Sequence, residues 1–171
     1  MNGLFTLAGI CTEVCATVVG GLLLAIVLFA INEYVIGLPN ISGEWKAEIN
    51  IRNTSYNPFR DLKINYTIHL LQKGLNIKGY GEKIMDVHPS GNQTVFETEK
   101  RVLIDIEGYF YRRYLGASTV TLQIKEFGTK RKTISTYQLK FRNDRLLVGK
   151  FVSTAANSQG EVVIQRDDKN I

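Results

Sequence analysis

The chain has 171 residues, of which 44% are hydrophobic, and a formal net charge of +5. This length suits one membrane segment and one domain with its own core, and the chain contains no repeat or low-complexity tract. Both cysteines, Cys11 and Cys15, lie in an apolar N-terminal segment, which excludes a disulfide-stapled domain and favours a reducing compartment.

The first element is the apolar segment from Leu4 to Ile31, in which Glu13 is the one side chain charged at neutral pH. About 20 apolar residues in a helix span a hydrocarbon core of ~30 Å. The segment therefore predicts a transmembrane helix within residues 1–38. The lack of a basic start and of a cleavage site favours a retained anchor over a signal peptide. Two short spans hinged at Gly20 and Gly21 are the alternative.

One face of this predicted helix combines small residues with a carboxylate. Gly9, Glu13 and Gly20 share approximately one face, and Gly21 follows. Small residues let helices approach closely, and a carboxylate in lipid usually faces a bundle interior or a pore. We therefore expect these four residues to support a homo-oligomer. The alternative is that Glu13 reaches the membrane interface and the helix is a passive anchor.

Charge is distributed unevenly along the chain. All 21 lysine and arginine residues and 14 of the 16 acidic residues lie within residues 39–171, so this part carries a net charge near +7. Positive residues favour the cytoplasmic side of a membrane, which predicts a single-pass protein with a cytoplasmic C-terminal part. The excess positive charge suggests a phosphate-bearing partner or an anionic membrane face. A solvated, mildly basic surface is the alternative.

From Gly43 onward, apolar residues alternate with polar ones, as in half-buried strands. Turn signals, among them Glu107-Gly108, separate the alternating runs and predict eight or nine strands in an up-and-down order. Such a meander closes into a small barrel, so residues 39–171 are predicted to form an all-β, lipocalin- or avidin-like barrel domain. Glycines inside strands, such as Gly79 and Gly149, fit the close backbone approach of a barrel. A two-sheet sandwich is the alternative.

Counting strands from Gly43 predicts which loops meet at the end of the barrel away from the anchor. These loops are 52–61, 86–93, 114–118 and 142–145. They contain several arginines, which bind phosphate through paired N–H groups, and aromatic residues, on which bases stack. The sequence therefore predicts a ligand site at this distal end.

The densest aromatic and basic run is residues 108–114. On a strand, one face would carry Tyr109, Tyr111 and Arg113, and the other Phe110, Arg112 and Tyr114, so an arginine would enter the lumen in either orientation. An inward arginine needs an anionic partner, either a ligand or an internal acid such as Asp105 or Glu107. The predicted ligand contacts are Arg60, Tyr109, Tyr111, Arg112, Arg113, Arg142 and Arg145.

No enzyme signature stands out in the sequence. It has no Walker-type glycine loop, no cysteine near a histidine outside the apolar segment, and no histidine pair with metal-ligand spacing. We therefore expect a binding domain with no catalytic residues, no metal and no cofactor.

The first predicted strand opens with Gly43-Glu44-Trp45, which resembles the Gly-x-Trp opening of lipocalins and avidins, where the tryptophan plugs the closed end of the barrel. Together with the preceding membrane segment, the strand count and the basic barrel, the whole chain resembles the membrane effectors of bacterial cyclic-oligonucleotide antiphage signalling (CBASS). One departure is that this family usually has two transmembrane helices.

The resemblance implies an antiphage effector in the bacterial inner membrane. Its cytoplasmic barrel would bind a cyclic dinucleotide, and binding would drive oligomerisation that disrupts the membrane. In a related defence arrangement the ligand instead holds a similar effector inactive. The implied partners are a cyclic dinucleotide, the lipid bilayer and further copies of the chain, with no DNA or RNA polymer. The alternatives are an anchored lipocalin-like carrier and a protein-binding scaffold.

Overall fold

The computed structural model describes residues 2–31, 37–97, 101–113, 116–128 and 132–167, with helix side chains from Thr12 onward. The chain divides into two compact units, Met1–Leu38 and Pro39–Ile171. The first unit contains one continuous helix, α1, from Asn2 to Ala30. Gly20 and Gly21 lie inside it, so the alternative of two short spans is wrong. The part Thr12–Ala30, 19 residues, is long and apolar enough to cross a membrane.

The second unit is built from antiparallel strands. Their bounds are β1 Gly43–Asn53, β2 Lys63–Lys73, β3 Asn76–Val87, β4 Gln93–Val95, β5 Leu103–Tyr111, β6 Thr119–Phe127, β7 Lys132–Asn143, β8 Leu146–Ser153 and β9 Gln159–Arg166. Each strand pairs with its neighbours in the order β2-β1-β9-β8-β7-β6-β5-β3, and a further β2–β3 pairing closes the ring. The short strand β4 pairs with β3 outside this ring. The predicted barrel is confirmed, and the sandwich is wrong.

The alternation seen in the sequence separates an apolar lumen from a polar outer surface. Apolar side chains from all eight ring strands form one buried core that includes Trp45, Ile68, Phe110 and Leu139. Strands approach closely where glycine faces the lumen: a Cβ atom at Gly149 would clash with the backbone oxygen of Gln138 on β7. The lumen is therefore filled along most of its length.

Strand β5 differs from its prediction. It runs without interruption from Leu103 to Tyr111, so Glu107-Gly108 is not a turn. Gly108 lies within the strand, and a Cβ there would clash with the backbone oxygen of Thr121 on β6. The glycine is thus explained by close strand packing and not by a change of chain direction.

This continuity decides which connections share an end of the barrel. One end, which we call the Trp45 end, carries the connections 74–75, 112–118 and 144–145 and the start of β1. The other, the Lys83 end, carries the connections 54–62, 88–102, 128–131 and 154–158. The predicted grouping of loops 114–118 and 142–145 with loops 52–61 and 86–93 is therefore wrong.

The Trp45 end is plugged. The Trp45 side chain is fully buried, and its Nε1 donates a 2.9 Å hydrogen bond to the backbone oxygen of Ile41. The guanidinium of Arg166 lies over the indole ring, 4.8 Å from its centre. The same guanidinium donates hydrogen bonds to the backbone oxygens of Asn40 (2.8 Å) and Ser42 (3.0 Å). The segment before β1 is thereby tied across this end of the lumen.

Candidate ligand site in the barrel lumen

The residues predicted to bind ligand do not gather at one end. Tyr109 and Tyr111 alternate with the buried Phe110, so they lie on the outer side of β5, with ring centres 4.9 Å apart. Arg112 and Arg113 follow in the connection to β6, at the Trp45 end. Arg142 and Arg145 lie at this end too, whereas Arg60 lies in the β1–β2 connection at the Lys83 end. Tyr114 lies outside the described residues.

The expectation that an arginine of this run enters the lumen is not met. Strand β5 ends at Tyr111, so Arg112 and Arg113 belong to a connection and not to a strand face. Among the described aromatic residues of the run, Phe110 is the one in the buried core. The physical reason is again the continuity of β5, which contains Tyr109, Phe110 and Tyr111 and ends before Arg112.

Three of the predicted residues nevertheless share a groove on the outer face of the barrel. Tyr111, Arg112 and Arg113 line a depression of about 1040 Å³, together with Lys140 and Lys150. Glu161, the one acidic residue among the described residues of its lining, lies 3.0 Å from Arg52 in an ion pair. This outer groove is basic, and it keeps these arginines as candidate contacts for an anion.

A second cavity of about 320 Å³ lies inside the barrel at the Lys83 end. We call it the lumen cavity. Apolar side chains of β1, β2 and β8 form much of its wall, and polar side chains of β2, β3, β6, β7 and β8 point into the same space. The polar and charged lining residues are Tyr66, Lys83, Asp86, Glu126, Thr133, Ser135, Tyr137, Ser153 and Ser158.

An ion pair stands in the wall of this cavity. Lys83 Nζ lies 2.7 Å from Asp86 Oδ2, and the two side chains are only 13% and 14% exposed. A β-bulge makes this pair possible. In the register of β2 and β3, Lys83 lies opposite Tyr66 and Asp86 lies opposite Ile64, so β3 has one residue more than β2 between these two positions. Because of this extra residue, the side chains of Lys83 and Asp86 both face the lumen. The Lys83 ammonium also lies 5.0 Å from the centre of the Phe96 ring.

A tyrosine–carboxylate hydrogen bond crosses the lumen. Tyr66 on β2 donates from its hydroxyl to Glu126 Oε2 on β6, at 3.1 Å. Burial raises the pKa of the Tyr66 hydroxyl well above its usual range, and Tyr137 and Glu126 raise it further. Burial, reinforced by Glu126, also raises the pKa of Tyr137. Both phenols are therefore neutral hydrogen-bond donors at physiological pH.

The hydroxyl groups of the cavity bond mainly to one another and to backbone. Ser135 and Ser153 share a 2.8 Å hydrogen bond, and Ser158 donates to the backbone oxygen of Ala155 at 2.6 Å. Asp86 Oδ1 is different: it is buried and accepts no hydrogen bond from the described residues. An unpaired buried acceptor of this kind costs about 1–3 kcal/mol, which a ligand N–H group can recover.

Comparisons with known proteins give no further guide. No protein-family model, curated protein or solved structure matches this chain. The function is therefore argued from the geometry of this molecule.

The charge of the lumen cavity restricts what it can hold. Among the residues that the structure describes, its lining contains one ammonium group and two carboxylates, a net charge of −1. Phosphate groups would meet repulsion inside, whereas the N–H and carbonyl edge of a base would find partners of both kinds. At the same end of the barrel, Arg60 and Lys132 are exposed, and Tyr56 packs edge-on against Phe59, with ring centres 5.0 Å apart. Phosphate and aromatic contacts are thus available just outside the cavity.

Sequence reasoning missed the polar residues of the lumen, although part of the signal was present. Along β3, every second residue faces the lumen, and this alternation includes Lys83 after Ile77, Gly79 and Gly81. Along β6, the same alternation includes Glu126 after Leu122 and Ile124. A charged residue in phase with a buried face is an unusual placement that could have been noticed. The inward position of Asp86 depends on the bulge, which the sequence pattern does not reveal.

Proposed function

We propose that this protein is a membrane-anchored receptor whose barrel binds a cyclic dinucleotide and whose helix α1 self-associates in response. The observation that carries the proposal is the asymmetry of the lumen. One end is plugged by Trp45, and the other holds a polar cavity with the partly buried Lys83–Asp86 pair. Small barrels typically bind their ligands at such a mouth.

The size and charge of the cavity suggest how the ligand is placed. Pockets for drug-sized ligands measure about 300–1,000 Å³, so a cavity near the lower limit suits one base and not a whole cyclic dinucleotide. The base enters among Tyr66, Lys83 and Tyr137. The phosphodiester ring stays outside, where Arg60 and Lys132 are exposed. The second base then rests against the exposed ring of Tyr56 at the rim of the cavity.

Helix α1 supplies the output. Glu13 adds a transfer cost to an isolated span, which reaches about 2.5–3.5 kcal/mol for a charged side chain at the bilayer centre, and an assembled bundle relieves this cost by hydrating or pairing the carboxylate. A ligand shifts this equilibrium only by its differential affinity for the separate and assembled forms. The resemblance of the chain to CBASS membrane effectors supports the rest of the proposal: an antiphage effector of the bacterial inner membrane, with a cytoplasmic, non-enzymatic barrel that controls membrane disruption.

Two other functions compete with this one. An anchored carrier of a hydrophobic ligand would be favoured by the apolar part of the cavity wall, but an apolar ligand would have to cover the Lys83–Asp86 ion pair and remove it from water. A protein-binding scaffold would use the outer surface and leave the lumen cavity empty. Both alternatives predict no affinity for cyclic dinucleotides.

The test is titration calorimetry of the full chain in lipid nanodiscs with a panel of cyclic di- and trinucleotides. Binding that weakens with salt supports the proposal, because phosphates meet fixed positive charge. Absence of binding across the panel at millimolar ligand would overturn it and favour the carrier or the scaffold.

Two variants locate the site. Lys83→Gln alters the lumen cavity, and Arg113→Ala alters the outer groove. If Lys83→Gln weakens binding and Arg113→Ala does not, the ligand occupies the lumen. If instead Arg112→Ala or Arg113→Ala weakens binding and Lys83→Gln does not, the outer groove is the site. Thermal unfolding of each variant separates loss of binding from loss of fold.

A further inference from the structure

The Lys83–Asp86 pair presents a hydrogen-bond donor directly beside acceptors. Nζ and Oδ2 are 2.7 Å apart, and Oδ1 on the same carboxylate accepts no hydrogen bond from the residues that the structure describes. A rotation about the last side-chain bond of Asp86 exchanges its two oxygens. The pair therefore offers one ammonium donor and a carboxylate with an unused acceptor.

The rest of the described cavity lining also contains more carboxylate acceptors than cationic donors. Glu126 adds a second carboxylate, of which Oε2 accepts from the Tyr66 hydroxyl. The serine hydroxyls already bond to each other and to backbone oxygens. A well-matched ligand must therefore bring N–H donors for the carboxylates and an acceptor for Lys83, and a further acceptor can meet the Tyr137 hydroxyl.

Among the common nucleobases, this pattern separates guanine from the others. Its Watson–Crick edge places the O6 acceptor next to the N1–H and N2–H₂ donors, which together fit one ammonium and one carboxylate. Adenine offers one amino donor beside an unprotonated ring nitrogen. Cytosine likewise offers one amino donor, and uracil offers a single N–H between two carbonyl groups. Each of these would leave a carboxylate oxygen unpaired or bring an acceptor against it.

We propose, resting on the proposed function, that the lumen cavity selects guanine: Asp86 accepts from N1–H and N2–H₂, and Lys83 donates to O6. Glu126 stands across the lumen as the second acceptor, for a sugar hydroxyl or the far side of the amino group. The phenyl ring of Phe59, in the cavity wall, provides an apolar surface for the base. The receptor is then specific for guanine-containing cyclic dinucleotides.

The experiment compares ligands on the wild-type full chain in nanodiscs. Cyclic di-GMP is expected to bind at least tenfold more tightly than cyclic di-AMP, with the mixed guanine–adenine ligand close to cyclic di-GMP because one base enters. Equal or tighter binding of cyclic di-AMP overturns the guanine assignment and leaves the receptor function standing. If no cyclic dinucleotide binds, the receptor function falls. In that case the affinities of the protein for guanosine and adenosine are compared, and the guanine assignment is overturned if the protein does not prefer guanosine.

Asp86→Asn provides the matched variant, because it keeps the shape and replaces an acceptor with an amide. An amide pairs with adenine through one donor and one acceptor, so the preference for cyclic di-GMP should fall at least tenfold and affinity for cyclic di-AMP should rise. Asp105→Asn, on the exposed outer side of β5, is the control and should change neither affinity. If Asp86→Asn unfolds because Lys83 loses its partner, the double variant Lys83→Gln/Asp86→Asn removes the unpaired charge and makes the same comparison. An unchanged base preference in a folded variant overturns the assignment.

Discussion

The indole of Trp45 and the backbone of Ile41 are joined by a 2.9 Å hydrogen bond that closes one end of the barrel from within. Both residues are fully buried. Since the bond satisfies the one polar group of the indole, the rest of the ring is free to pack as apolar core. The strength of this plug and the independence of the barrel can both be measured.

The residue 39–171 fragment should fold alone as a monomeric β-barrel. Its ring of strands is closed by pairing, its core is continuous, and it contains no cysteine that could mispair. Circular dichroism should show β-structure with negligible helix, and gel filtration should give the monomer. A strongly helical spectrum or an aggregate would show that the barrel depends on residues 1–38.

Replacement of Trp45 by alanine in this fragment should lower the free energy of unfolding by about 3–5 kcal/mol, because a large buried side chain leaves a cavity. Urea denaturation followed by circular dichroism measures the loss. Tyr80→Ala is the matched control: this ring is 60% exposed on the outer face, so its removal should cost less than about 1 kcal/mol. A cost below about 1 kcal/mol at Trp45 as well would mean that the plug does not contribute to stability.

The barrel was readable from the sequence because strand alternation is a local property, and each run from Trp45 to Ile164 carries it. The error at β5 has a physical cause. Gly108 looks like a turn residue, yet the closed barrel uses it to bring β5 against β6. Because of this one false turn, Arg142 and Arg145 were predicted at the same end of the barrel as Arg60, whereas they lie at the Trp45 end. Of the lumen residues, Lys83 follows from alternation, but Asp86 depends on pairing between two strands that no local pattern encodes.

Stability should fall steeply above pH ~10, where tyrosines of the unfolded chain ionise. The raised pKa values of Tyr66 and Tyr137 mean that the folded state keeps its protons while the unfolded state loses them. Each tyrosine therefore contributes stability that is fully present below pH ~10 and declines by up to ~1.4 kcal/mol per pH unit above it. The free energy of unfolding of the fragment, measured by urea denaturation from about pH 9 to about pH 11, tests this.

Tyr137→Phe is the variant for that measurement. It removes one of the two buried phenols, so the decline in stability above pH ~10 should become shallower. Exposed Tyr111→Phe should leave the slope as it is. An identical slope in Tyr137→Phe and the wild type would show that the phenol ionises equally in both states.

Helix α1 should damage the membrane when the barrels are brought together by ligand. Glu13 lies one residue inside the segment Thr12–Ala30, and a Cβ at Gly20 would meet nothing within 4 Å, so Gly20→Leu leaves an isolated helix unstrained but blocks close helix approach. Bacteria expressing the full chain with a cyclic-dinucleotide synthase should take up a membrane-impermeant dye. Gly20→Leu should reduce this uptake by weakening assembly, and Glu13→Gln should alter it by removing the charge that assembly relieves.

Leu24→Ile, which keeps an apolar side chain in the same helix, is the control. Wild-type uptake in both test variants would leave α1 as a passive anchor, and the carrier and scaffold functions would then move ahead.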